Sequence, residues 1–256
     1  MSEREPLEFL PHEYVVANPR APRPLAIEGV LRVGDLVIIT GSYDTFKSTL
    51  ALELMWSLAT GKPWLRHWDF RVRRRLRVGL LQTEIDPGSY DERCARFSPA
   101  ADLLLCSCLD FTFDRMDELE TALDDSGLDG IAIDPLGMVW PTFAASGEPF
   151  SENAKTHVSP IMRKLKQLRR TTILVHHDPK QQMGLTNRAS GSSALLNDPD
   201  VRIFVDRAAG DNIRVTVRNR LQHPTPPFIA HFESGRLVRA TVRATVTKPH
   251  HLRHPS

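Results

Sequence analysis

The chain has 256 residues, of which 41% are hydrophobic and 25% are charged, and its formal net charge is +2. This composition suits one globular domain and excludes a disordered or fibrous chain. A net charge so close to zero does not by itself predict nucleic-acid binding, so any such binding must come from local clusters. The N-terminus shows no apolar leader, and no run approaches the ~20 apolar residues of a membrane span. We therefore expect a cytoplasmic protein without a membrane partner.

Cysteine usage and the two ends of the chain set further limits. The cysteines are odd in number and lack the paired spacing of a metal site, which favours reduced thiols of an intracellular protein: Cys94, Cys106 and Cys108. Residues 1–26 are rich in proline and predict an arm without regular structure. Residues 27–238 then form the expected domain, and residues 239–256 form a basic tail that we expect to be disordered.

The first predicted elements of the domain enclose a loop with a known chemical pattern. An apolar run at residues 36–39 predicts a strand, and residues 50–55 predict a helix. Between them, most of the phosphate-loop pattern G-x-x-x-x-G-K-[ST] is present in Gly41, Ser42, Tyr43, Asp44, Thr45, Phe46, Lys47, Ser48 and Thr49. Backbone N–H groups, the helix N-terminus and Lys47 can face phosphates, while the Ser48 hydroxyl can bind Mg²⁺. Phe46 replaces the second glycine, which indicates either an unusual turn or a chance match.

Later apolar runs predict the rest of a sheet. Three continuous runs are typical of buried parallel strands: residues 78–84, 128–133 and 171–175. After residue 200 the pattern changes, and three short runs separated by turn residues predict antiparallel strands that extend the sheet: residues 201–205, 213–217 and 228–232. Strands that alternate with helices predict an α/β fold with a mostly parallel sheet covered on both faces.

One predicted helix has two possible beginnings. It lies between the runs at 128–133 and 171–175, and its apolar face contains Ile161, Met162, Leu165 and Leu168. Ser159 and Pro160 could be its N-cap and first helical residue. Alternatively, Pro160 kinks a longer helix that begins near Glu152.

Two carboxylates follow predicted strands and could serve phosphate chemistry. Asp134 ends the run at 128–133, where a Walker B carboxylate would orient Mg²⁺ beside the phosphate loop. The alternative is an aspartate that simply ends a strand. Pro135 occupies the position where many P-loop ATPases have a catalytic glutamate, so the general base must come from elsewhere. Glu84 can reach a water on the γ-phosphate if its strand lies beside the phosphate-loop strand. The alternative is a surface carboxylate where a strand passes into a loop.

The order of these motifs resembles the RecA-like ATPases of the DnaB superfamily, and most closely the short RepA-type replicative helicases of plasmids and phages. The resemblance covers residues 24–235 and rests on the phosphate loop, Glu84 followed by Arg93, Asp134, the pair His176–His177 and the run Arg218–Asn219–Arg220. The motifs GKPW at 61–64 and SGSSAL at 190–195 add to it. The resemblance implies a RecA-like core, ATP and Mg²⁺ as ligands, and active sites formed between the subunits of a homo-oligomer, a hexameric ring.

The resemblance also implies roles for residues of this chain. Lys47 would bind the β- and γ-phosphates, Ser48 and Asp134 would hold Mg²⁺, and Glu84 would activate water. His177 would sense the γ-phosphate, whereas we expect His176 to be packed or bonded inside the sheet.

Two further predictions concern partners. Arg218 or Arg220 would act as an arginine finger in the neighbouring site, although alternate arginines on a late strand are also typical of a solvated face. Single-stranded DNA would contact loops at 135–158 and 178–193, the second through Lys180 and Arg188. The resemblance implies a helicase or translocase in mobile-element replication. It leaves open a regulatory or recombination ATPase, or a nucleotide-gated oligomer that hydrolyses ATP slowly.

Overall fold

The computed structural model describes residues 8–177, 193–219 and 225–240. The first half of the chain forms α1 (His12–Ala17), β1 (Leu25–Ile27), β2 (Leu31–Arg32), β3 (Leu36–Gly41), α2 (Lys47–Thr60), β4 (Val78–Gln82), α3 (Pro87–Cys94), β5 (Leu103–Ser107) and α4 (Met116–Asp125). The second half forms β6 (Gly130–Asp134), α5 (Lys155–Gln167), β7 (Thr171–His177), α6 (Ala194–Asn197), β8 (Val201–Arg207), β9 (Ile213–Asn219), β10 (Phe228–Glu233) and β11 (Arg236–Arg239).

Nine of these strands form one sheet in the order β11-β10-β9-β8-β3-β7-β6-β4-β5. The strands from β8 to β5 run parallel, and β9, β10 and β11 extend the sheet by antiparallel pairing. This confirms the predicted α/β class. β8 differs from the prediction in one respect, since it pairs in parallel with β3 and only its other neighbour, β9, is antiparallel to it. Apolar side chains pack in two clusters, one containing α2 and the other containing α4 and α5.

Register brings the ends of several strands to one edge of the sheet. Gly41 at the end of β3 lies level with His177 on β7 and with Val205 on β8. Gln82 on β4 lies level with Asp134 on β6. Because all these strands are parallel, their carboxyl ends meet at the edge where open α/β sheets bind ligands.

The position of β4 contradicts the condition set for Glu84. β4 pairs with β6 and β5, so β6 and β7 separate it from the phosphate-loop strand β3. The expectation that the two strands are neighbours is therefore wrong, because parallel strands are joined by crossovers and their order along a sheet need not follow the sequence. Glu84 still follows the carboxyl end of a parallel strand. Its access to the shared edge does not require contact between β4 and β3.

Other elements differ from the sequence expectations in detail. The proline-rich arm contains the short helix α1, none of whose residues is buried, and its last residues form β1. Helix α5 begins at Lys155 with Pro160 inside it, which agrees with the longer of the two predicted helices. The edge strands β5 and β11 were not predicted. No helix in the described ranges has both the length and the apolarity needed to cross a bilayer.

A buried ion pair joins helix α2 to strand β11. Arg236 donates to Glu53 from Nε at 2.9 Å and from Nη2 at 2.5 Å, and the Leu237 backbone N–H donates to the same carboxylate at 3.1 Å. Both charged residues are at most 5% exposed. The guanidinium also lies 3.9 Å from the ring centre of Trp56. Since the two partners are 183 positions apart, this pair fixes the last described strand to the helix after the phosphate loop.

We expect Glu53→Gln to lower the free energy of unfolding by about 3–5 kcal/mol, because it leaves the Arg236 charge buried without a counter-ion. Chemical denaturation of the variant and the wild type measures the difference. Glu28→Gln is the matched control. It removes a carboxylate from the exposed arginines Arg71 and Arg73, and a much smaller loss is expected. Equal losses for the two variants would contradict the structural role assigned to the buried pair.

Candidate nucleotide-binding site

The phosphate loop is a tight turn whose backbone conformation restricts which residues it can contain. A Cβ atom on Gly41 would lie 2.2 Å from the Val205 carbonyl oxygen, so β8 passes too close for any other residue. Asp44 and Phe46 have φ of 55° and 59°, in the left-handed region. Phe46 directly precedes helix α2 with ψ of 27°. The residue that breaks the pattern therefore takes a backbone conformation that glycine normally supplies. Phe46 forms the unusual turn that the sequence indicated.

Lys47 lies inside this loop. Its Nζ donates to the Ser42 carbonyl at 2.6 Å and lies 3.4 Å from the Thr45 hydroxyl, and the residue is 3% exposed. The loop therefore curves around the Lys47 ammonium group. Helix α2 begins at Lys47, so the N-terminus of a 14-residue helix points into the same turn.

Asp134 meets the loop from the end of β6. The Ser48 hydroxyl donates to Asp134 Oδ1 at 3.1 Å. Burial raises the pKa of Asp134 to about 6, and the charge of Glu84 acts in the same direction. The Ser48 hydrogen bond and the positive charges of Arg93 and Lys47 oppose this rise. The Asp134 carboxylate is therefore ionised at neutral pH, but burial makes this ionised form unfavourable in free energy.

Glu84 occupies a turn that is tied to Asp134 through the backbone. Its N–H donates to Gln82 Oε1 at 2.6 Å, and the Gln82 amide also donates to the Ile85 carbonyl. The Thr83 N–H donates to the Asp134 carbonyl at 3.0 Å. These bonds hold the end of β4 beside the end of β6 while the Glu84 side chain stays exposed. Glu84 lines the same cleft as Lys47.

His177 contacts the phosphate loop, whereas His176 does not line the cleft. The His177 ring stacks on Tyr43 with centroids 4.6 Å apart and planes 10° apart. Burial, together with the charge of Lys47, lowers the pKa of His177 to about 4, so its imidazole is neutral at physiological pH. Within the described residues, the buried Nδ1 of His177 has no hydrogen-bond partner. His176 is 2% exposed within β7, as the sequence analysis expected.

These side chains surround a cleft of about 420 Å³ at the carboxyl edge of the sheet. Its walls are formed by residues 43–49, Glu84, Arg93, His177 and Arg207. The cleft has lysine and arginine side chains, a helix N-terminus and the Ser48 hydroxyl, which donates to the buried carboxylate of Asp134. This combination suits a polyphosphate that is bound together with a divalent cation.

Comparisons with known proteins agree with this chemistry. A family model described as AAA domain matches residues 3–183. The chain belongs to the AAA domain family. A KaiC-like protein from the hyperthermophilic archaeon Pyrococcus horikoshii OT3 has a similar structure, with a TM-score of 0.57 and 16% identity, over 84% of this chain and 94% of that one. At such identity the likeness shows the fold alone. No curated protein matches the sequence.

Family, fold and phosphate loop together confirm a RecA-like P-loop ATPase that binds nucleotide. The narrower likeness to replicative helicases stays a prediction. Mg²⁺ fits the donors that are present. Ser48 and Asp134 offer one hydroxyl and one carboxylate, and the described residues contain no cluster of three or more side chains that could hold a metal alone. Mg²⁺ commonly takes one or two protein ligands together with waters and phosphate oxygens.

Arg218 lies far from the phosphate loop of its own chain. It pairs with Arg202 on β8, which in turn lies level with Ile38 on β3. Ile38 is three residues before Gly41, so Arg218 stands roughly 10 Å back along the strands and two strands to the side. Its guanidinium lies 5.5 Å from the ring centre of Phe204. Arg218 does not line the cleft of its own chain.

Three residues proposed from the sequence lie outside the described residues: Lys180, Arg188 and Arg220. The structure does bear on the arginine-rich run at 71–77. Arg71 and Arg73 pair with Glu28, and Arg75 and Arg77 pair with Asp102. Two carboxylates therefore offset part of the charge of the five arginines in this run.

Sequence reasoning did not assign Arg93 or Arg207 to the site. Arg93 entered only as part of a family motif. Arg207 ends β8, and its guanidinium lies 5.2 Å from the Phe46 ring centre. The missing signal was strand direction. Had the run at 201–205 been predicted as parallel to the phosphate-loop strand, the residues directly after it, which include Arg207, would have been expected at the cleft.

The raised pKa of Asp134 predicts that its ionised carboxylate lowers the free energy of unfolding. A carboxyl whose folded pKa exceeds its unfolded value destabilises the fold when ionised, and the penalty fades as pH falls from the folded to the unfolded pKa. Asp134→Asn removes the charge. We expect the variant to be more stable than the wild type by about 2–3 kcal/mol at pH 8 and by about 1 kcal/mol near pH 4.5. Denaturant titrations at both pH values measure this, and a variant no more stable at pH 8 would contradict it.

Proposed function

We propose that this ATPase is a helicase or translocase that uses ATP to act on single-stranded DNA in plasmid or phage replication. One observation supports the proposal above the others. His177 stacks on Tyr43 of the phosphate loop, and it directly precedes the segment whose sequence contains Lys180 and Arg188. A change around the phosphates that moves His177 would therefore act on the neighbouring residues of the chain that are proposed to contact DNA.

The chain supplies several groups for hydrolysis. Lys47 and the N–H groups of the loop bind the phosphates, and the exposed carboxylate of Glu84 accepts a proton from the attacking water. The neutral imidazole of His177 carries one N–H for the γ-phosphate. Mg²⁺, held by Ser48 and Asp134, would neutralise charge on the phosphate oxygens. An arginine of the neighbouring subunit completes the proposed site, because Arg218 does not line the cleft of its own chain.

Charge distinguishes the two loops that were proposed to contact DNA. In the first loop, predicted at 135–158, residues 135–154 contain no lysine or arginine but include Glu148 and Glu152, and the remaining four residues begin α5 and contain one lysine, Lys155. Met138 and Phe143 of this segment are exposed. This loop offers apolar surface to bases but only one lysine to phosphates. The proposed phosphate contacts therefore come from the second loop, through Lys180 and Arg188.

We expect Lys180→Ala combined with Arg188→Ala to weaken binding to single-stranded DNA by about tenfold and to flatten the salt dependence by about 1.4 in log–log slope. The loss should be similar for different base sequences, because the contacts are to phosphates. Fluorescence anisotropy at several salt concentrations measures both quantities. ATP hydrolysis without DNA should persist, and the DNA-stimulated part should fall.

The matched control removes the same charge elsewhere. Arg66→Ala combined with Arg74→Ala removes two exposed arginines, one within the arginine-rich run and one that precedes it. It should leave affinity and slope unchanged. If the control weakens binding instead, DNA follows that surface. Strand displacement on a forked substrate then separates a helicase from an ATPase that only translocates on DNA or remodels it.

A further inference from the structure

The phosphate loop depends on a strained residue. Phe46 has φ of 59° and ψ of 27° immediately before Lys47. A side chain in the left-handed region is crowded against its own backbone, and glycine avoids this crowding because it has no Cβ. Without an external restraint, the backbone at Phe46 would favour other conformations. Each of them would turn the following Lys47 and the first N–H groups of α2 in a different direction.

The restraint comes from strand β10. The Phe232 ring meets the Phe46 ring edge to face, with centroids 4.5 Å apart and planes 73° apart. This geometry is one that aromatic pairs favour. Phe46 also packs against the larger apolar cluster, which includes α2. The side chain that causes the strain is thus the one that anchors the turn.

Strand β10 is itself fixed relative to the helix. Phe232 pairs with Leu237 on β11, whose N–H donates to Glu53 of α2 at 3.1 Å. Glu53 lies seven residues after Phe46, which is two helical turns and the same face of α2. The β10–β11 hairpin therefore holds the helix at Glu53 and the preceding loop at Phe46. These two contacts lie on one face of α2, and together they prevent the phosphate loop from changing its orientation relative to the helix.

We propose that Phe232 is a positioning residue for nucleotide binding. Its ring holds Phe46 in the left-handed conformation, which directs Lys47 and the loop N–H groups at the phosphates. Phe232 and Phe46 together thus replace the second glycine of the phosphate-loop pattern. The proposal rests on nucleotide binding in this cleft and is independent of any action on DNA.

A double-mutant cycle tests this role. Phe232→Ala should weaken the affinity for a fluorescent, slowly hydrolysed ATP analogue by about tenfold, because the strained turn loses its anchor. The same change in a Phe46→Gly background should alter the affinity by less than about twofold, since glycine takes the turn without an anchor. Phe46→Gly also removes the Arg207 contact with Phe46. Both proteins compared in the Phe46→Gly background lack this contact, so its loss does not affect the comparison.

The matched control is Phe228→Ala. Phe228 is a buried phenylalanine of the same strand that packs on Trp64 and Phe70 and not on Phe46. Its removal should change the analogue affinity by the same small factor in both backgrounds. Circular dichroism during thermal unfolding verifies that each variant is folded. If Phe232→Ala does not fold, Phe232→Leu replaces it in the same double-mutant cycle, because leucine keeps apolar bulk without the ring.

An equal loss of affinity from the Phe232 substitution in both backgrounds would show that Phe232 serves packing alone and would overturn the inference. Failure of the wild type to bind the analogue would instead overturn the proposed function, and the inference with it. Binding by the wild type without coupling to Phe46 overturns only the positioning role.

Discussion

The cleft exists because the strands that supply it run in the same direction and end at the same edge. Gly41, His177 and Val205 lie level across three strands, and Asp134 lies level with Gln82 across two more. Several of these strands therefore deliver residues to one cleft: the phosphate loop follows β3, Glu84 follows β4, and Arg207 ends β8. A one-residue change of register would turn these side chains to the other face of the sheet.

The site is costly to maintain, and the surrounding structure offsets the cost. Burial keeps the pKa of Asp134 near 6, and Phe46 holds a left-handed backbone conformation. Both features destabilise the fold locally, as is common at functional sites. The buried pair of Glu53 and Arg236 joins α2 to β11 close to these strained parts. The helix that presents Lys47 is therefore fixed by the opposite end of the chain.

The residues that were found from the sequence are those with local signals. Lys47, Ser48 and Asp134 stand at fixed offsets from apolar runs, so a motif and a strand end were enough to suggest them. Glu84 was found for the same reason, but its strand was placed beside the wrong neighbour. Sequence periodicity indicates that a strand is buried but not which parallel strands are adjacent.

Long-range contacts carried no such signal. The contact of Phe46 with Phe232 and the pair of Glu53 with Arg236 join residues more than 180 positions apart. No local pattern marks one side chain as the partner of another at that distance. Arg207 was missed for a related reason, since its position depends on the direction of β8. The α/β class needed only the alternation of strands and helices, so it was predicted correctly.

The central claim is that a complete active site combines the Glu84 of one subunit with an arginine of the next. A subunit-mixing assay tests it most directly, using inactive Glu84→Gln subunits and inactive subunits that carry both Arg218→Ala and Arg220→Ala. After exchange at equal amounts, about a quarter of the sites should contain both intact groups and recover hydrolysis. Glu84→Gln mixed with Lys47→Ala is the control that should not recover, because both groups belong to the same chain. No recovery in subunits shown to exchange would contradict a site shared between subunits.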